Sequence, residues 1–133
     1  MNTKKRVLVV APHPDDETLG AGGAIAKFSA QGDEVFVLIV SGHLPPLYSR
    51  EEYEQTISEA RSAFSILGVS KSEFLEIPAT MIVVQPRHKL NGKIAKIVND
   101  FNPHIVLLPY PDRHIDHRLV FDSVMVATRP IGV

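Results

Sequence analysis

Two valine-rich apolar runs, RVLVVAP (6–12) and DEVFVLIVSG (33–42), flank GAGGAIAKFSAQGD (20–33), whose small and apolar residues recur at helical spacing. Runs so uniformly apolar suit strands covered on both faces, and such strands pair in parallel through a crossover helix. This strand–helix–strand unit commits the chain to an α/β fold. The alternation continues. SREEYEQTISEARSAFSILGV (49–69) reads as a helix with Ile57, Ala60, Ala63/Phe64 and Leu67 on one stripe and Gly68 closing it. EFLEIP (73–78) reads as a third strand and KLNGKIAKIVNDFNP (89–103) as a helix. HIVLLPY (104–110) then reads as a fourth strand and HRLVFDSVMVAT (117–128) as a last helix. The prediction is one domain over 1–133 with a mostly parallel sheet and helices on both faces. The segment MIVV (81–84) is compatible with a further short strand, and the sequence leaves that open.

Polar residues gather where two of these strands end. PHPDDE (12–17) follows the first strand, and PYPDRHIDHR (109–118) follows the fourth. Buried like charges are costly unless paired or bound to a cation. In an open parallel sheet, ligands bind at the carboxyl ends of strands, where the strand order reverses. If strands 1 and 4 flank that point, giving the order 3-2-1-4, both clusters face one crevice. His13 and Asp16 are spaced to converge on one point, and Asp15 then points elsewhere. His114 and His117 repeat the three-residue spacing around Asp116. Two nitrogens and an oxygen with an open fourth position suit catalytic zinc. The plainer alternative makes the acids helix N-caps, with Glu17 or Thr18 in that role.

Composition narrows the choice. The chain has no cysteine, so a metal must use histidine and carboxylate. A net charge of −1 gives no reason to expect a nucleic-acid partner or an acidic membrane surface. Lys4-Lys5-Arg6 before VLVVAP faintly imitates a signal peptide, but the apolar run is short and acids follow it. No segment approaches membrane-spanning length, and a cytoplasmic location is the expectation.

APHPDDE followed by GAGG resembles the signature of the LmbE/PIG-L-type zinc-dependent de-N-acetylases, and DRHIDHR resembles that family's second motif. EARSAFSILGV and FNPHIVLLP match further family features, so the resemblance spans nearly the whole chain. It implies a Rossmann-like fold and removal of an N-acetyl group from an amino sugar or its conjugate. It also implies His13, Asp16 and His117 as ligands of Zn2+, with Fe2+ tolerated by the same set. Asp15 becomes the general base and His114 the group stabilising the oxyanion. The chemistry is coherent by itself: Asp15 can take the proton of the attacking water, and a protonated His114 can donate to the oxyanion. Asp116 fits a supporting role on a histidine's second ring nitrogen. Asp112 fits either a turn cap or support of the site.

Two departures from the family pattern stand out. Thr56 occupies the place where some sugar-deacetylating relatives carry an arginine, which leaves Arg50 or Arg87 to grip a sugar. The family also continues past TRPIGV, so C-terminal elements are expected to be missing. Residues 1–133 are then expected to bind metal, turn over an N-acetylated sugar poorly and self-associate as a homo-oligomer. An exposed fourth-strand edge and the crowded Val120, Phe121, Val124 and Met125 support that expectation. His43, His88 and His104 read as loop or surface histidines, His43 bordering the crevice. The competing class is a non-catalytic nucleotide or sugar-phosphate binding module using Gly20, Gly22 and Gly23. Its glycine fingerprint fails at Ile25, and Asp15 and Asp16 would repel a pyrophosphate.

Overall fold

A computed structural model of the chain describes residues 3–130. Four strands, β1 (Arg6–Ala11), β2 (Glu34–Gly42), β3 (Lys71–Pro78) and β4 (Ile105–Leu107), form one sheet in the order β3-β2-β1-β4. All three pairings are parallel, as the apolar runs predict, and β1 is flanked by β2 and β4. The helices are α1 (Asp16–Ala30), α2 (Arg50–Leu67), α3 (Arg87–Phe101) and α4 (Ile115–Ala127).

Strand periodicity splits the core in two. Val7, Val9, Val35, Val37 and Ile39 pack with Ile25 of α1 and with Ala60 and Phe64 of α2. Leu8, Val10, Phe36 and Leu38 pack on the other face with Leu90 and Ile94 of α3 and Val120 and Val124 of α4. Both faces of β1 and β2 are therefore sealed, which explains why their sequences lack polar alternation.

Local chemistry fixes the helix ends. Ser49 caps α2 in a full capping box with Glu52. Gly68 ends α2 at φ 84°, and Ser29 of α1 donates to its carbonyl at 2.7 Å. A methyl group at Gly68 would strike the Ser29 side chain. Gly68→Ala is therefore expected to cost about 2–3 kcal/mol, from the left-handed backbone and the disturbed hydrogen bond. Urea unfolding checks this, and an unchanged midpoint would refute it.

Several boundaries differ from the sequence reading. The first helix starts at Asp16, so Gly20, Gly22 and Gly23 lie inside α1. MIVV is part of a 3-10 turn, Ile82–Val84, rather than a strand. β4 spans only Ile105–Leu107 because the prolines at 109 and 111 end ladder pairing early. Tyr53, outside the expected stripe, is buried on α2 against Gly42. On α4, Val120 and Val124 are fully buried while Met125 is half exposed, so one face packs and the other does not. No helix among the described residues is long and apolar enough to cross a membrane.

Candidate metal centre

The adjacency of β1 and β4 brings the two polar clusters together at one end of the sheet. His13, Asp16 and His117 each offer a ligand atom to a common point. The His13 Nδ1 and His117 Nε2 atoms lie 3.5 and 3.2 Å from the same Asp16 oxygen, Oδ2. Ligands about 2.0–2.1 Å from a tetrahedral ion stand roughly 3.3 Å from one another, so this donor set fits a divalent metal. A second grouping, His13 with His114 and Asp116, also gathers donors. There, however, His13 Nε2 sits 2.8 Å from Asp116 Oδ2, a hydrogen-bond distance, and the same oxygen accepts the Thr80 N–H at 2.8 Å. Asp116 thus supports His13 from behind.

The other histidine is supported in the same manner. His117 Nδ1 is 2.8 Å from Asp112 Oδ2, while Asp112 Oδ1 accepts the His114 N–H. Asp112 is both turn cap and support, the two roles between which its sequence context leaves the choice open. Each converging imidazole therefore has a carboxylate on its remote nitrogen, which fixes the orientation of the ring.

Electrostatics reflects the crowding of acids. Burial opposes a charged His13, but Asp116 and Asp16 outweigh it and push its pKa up to about 9. Burial likewise opposes the Asp16 and Asp116 carboxylates, yet His13 holds both below the ordinary range. In metal-free protein the raised His13 value contributes stability that is fully present below about pH 6.5. That contribution, on the order of 3 kcal/mol, fades as pH rises to about 9. Urea midpoints measured with chelator across that window should fall with pH. Midpoints that rise across it would contradict the arrangement.

Asp15 is not among the donors that converge. It is exposed, makes no capping hydrogen bond, and is held at φ 104°, a costly conformation for a side chain other than glycine. The N-cap reading does not hold for Glu17 or Thr18, which lie inside α1; the N-cap position is Asp15, and Asp16 Oδ2 accepts the His13 N–H. Glu17 lies in the first turn of α1. It is buried, accepts from the Asp15 N–H and from Thr18, and burial raises its pKa. Its carboxylate braces the Asp15 backbone, a role that sequence gives no sign of. His114 accepts the Asp116 N–H at Nδ1, an arrangement that suits a ring proton on Nε2.

The remaining candidates are engaged with other partners. Arg50 pairs with Glu54 and Glu76, and Arg87 with Asp122. His43 stacks on Tyr48 in the loop after β2, and His104 accepts the Arg6 N–H. Gly20, Gly22 and Gly23, inside α1, have N–H groups already committed to the helix and form no phosphate-binding turn. A cleft of about 530 Å³ runs from Asp16, Asp112 and His117 between α1 and β4, walled by Leu19, Ala24, Leu107 and Pro109.

Residues 8–128 match the family model for PIG-L, described as GlcNAc-PI de-N-acetylase. The chain belongs to the PIG-L family. Among its relatives is the diacetylchitobiose deacetylase of Thermococcus kodakarensis, 31% identical over 126 residues. That alignment covers 88% of this chain and 46% of the relative. The solved N,N'-diacetylchitobiose deacetylase of Pyrococcus horikoshii superposes with a TM-score of 0.79 at 29% identity, over 92% of this chain and 49% of that one. The chain thus spans about half the length of these PIG-L relatives. A 4-carboxy-2-hydroxymuconate hydratase from Pseudomonas putida shares the fold at 24% identity and TM-score 0.79, covering 92% of this chain and 55% of its own. This fold alone does not fix a reaction.

Proposed function

We propose that this chain is a metal-dependent N-deacetylase acting on an N-acetylated amino sugar or its conjugate. The observation that carries the reading is the convergence of His13 Nδ1, Asp16 Oδ2 and His117 Nε2 from two adjacent strand ends. The family's de-N-acetylase description and the relatives named as deacetylases of an N-acetylated disaccharide support it. Zinc is the metal assigned, with iron(II) acceptable to the same donors, and His13, Asp16 and His117 would hold it. Bound there, it would polarise the amide carbonyl and bring the pKa of water to about 7.

The chain's own groups supply the rest. Asp15 takes one proton from the attacking water and delivers it to the nitrogen as the amide C–N bond breaks. Acetate and a free amine result. His114 keeps Nδ1 occupied by the Asp116 N–H, which leaves Nε2–H to donate to the carbonyl oxygen as negative charge develops on it. Asp112 and Asp116 keep the two histidines oriented, so little reorganisation is needed during the reaction. The test is a screen of N-acetylglucosamine, its disaccharide and its conjugates against zinc-loaded protein, with acetate and primary amine both quantified. Equal release of the two products is expected. Metal-loaded protein that releases neither from any of them would overturn the reading.

A further inference from the structure

The loop between β4 and α4 contains one carboxylate with two separate tasks. Asp112 Oδ1 accepts the His114 N–H at 2.8 Å, at the N-cap of α4, and Oδ2 lies 2.8 Å from His117 Nδ1. Arg118, one residue further along α4, reaches back with Nη1 to the carbonyls of Asp112 at 3.1 Å and Arg113 at 2.8 Å. The two peptides that flank Arg113 are thereby tied to the helix they precede. Unlike Asp116, which is fully buried, Asp112 is exposed, so neither packing nor burial holds its carboxylate in place.

We propose that Asp112 is a positioning residue that sets both histidines of the second cluster at once, with Arg118 locking the loop from which it acts. One oxygen fixes where His114 stands at the start of α4. The other takes the Nδ1–H of His117 and leaves Nε2 bare toward Asp16. The proposal rests on the metal-site reading for its consequence, though not for its geometry. Ring orientation and tautomer both depend on this one side chain, and loss of such an outer partner typically lowers metal affinity by about 10–100-fold.

Asp112→Asn separates positioning from folding. Its amide oxygen can still cap the His114 N–H, but the NH2 group then faces His117 Nδ1. An NH2 donor there forces the imidazole proton onto Nε2, the atom aimed at the metal. Asp112→Ala removes both interactions, and Arg118→Lys loosens the loop while keeping the charge. Zinc affinity is measured by competition with a chromophoric chelator, beside the urea midpoint of each variant. Asp112→Asn is expected to lose about 10–100-fold in zinc affinity with a near-native midpoint, and Arg118→Lys to lose less. The 15N shifts of the neutral His117 ring in metal-free protein should report Nδ1–H in the parent and Nε2–H in Asp112→Asn. The same tautomer in both, or unaltered zinc affinity in Asp112→Asn, would overturn the proposal. Parent protein that fails to bind zinc would instead sink the metal-site reading, and the tautomer comparison would still decide the role of Asp112.

Discussion

Asp15→Asn is expected to keep its metal and lose nearly all amide hydrolysis. The substitution is isosteric and the residue is exposed, so the fold has little reason to respond. An amide cannot accept the proton of the attacking water, and the amine cannot leave without one. General-base assistance is worth roughly 10²–10⁴-fold, and here the same group must also serve as the acid, so the upper end applies. The backbone sharpens the expectation. Asp15 is held at φ 104°, with its N–H fixed by the buried Glu17 at 3.1 Å, so the residue sits in a strained and braced turn. Steady-state acetate release alongside metal content measures the effect. Near-native turnover in Asp15→Asn would remove this residue from the mechanism.

Asp116→Ala is expected to produce the largest loss of stability among the site variants. Asp116 is completely buried and accepts from both His13 Nε2 and the Thr80 N–H. Its loss leaves the Thr80 N–H without this acceptor and deprives His13 of its main counter-charge. Breaking a buried pair costs about 3–5 kcal/mol when the surviving charge cannot neutralise. His13 can shed its proton, so about 2–4 kcal/mol is expected near neutral pH. Asp116→Asn still offers an acceptor to the Thr80 N–H and should cost clearly less. Equal unfolding midpoints for parent and Asp116→Ala would show that the network contributes nothing.

Much of this arrangement is legible in the sequence, for a physical reason. β1 and β2 are sealed on both faces, so every residue from Val7 to Ala11 and Val35 to Val40 is apolar, and such runs read unambiguously. The order β3-β2-β1-β4 follows once His13 and His117 are required to share a crevice. Boundaries are less legible where two signals compete. The first helix is legible from Gly20 onward, but it starts at Asp16, because acids in its first turn extend it toward β1. The apolar, β-branched MIVV resembles a strand, but the chain there is turning onto α3 and its buried Ile82 anchors the turn. The burial of Tyr53 and Glu17 is not legible because each carries a polar tip into a buried position. For Asp112 and Asp116, sequence places carboxylates among histidines without saying which ring nitrogen each will meet. That depends on side-chain directions set by α4 and the loop before it.

Zinc content after loading and exhaustive dialysis, compared between the parent and His13→Ala, Asp16→Ala and His117→Ala, tests the central claim most directly. These residues come from two strand ends that are distant in sequence and adjacent in the sheet. The account predicts one tightly held ion per chain in the parent and loss of all but about a tenth of it in each variant. Undiminished zinc in His117→Ala would contradict it, since the fourth strand's loop would then have no part in the site.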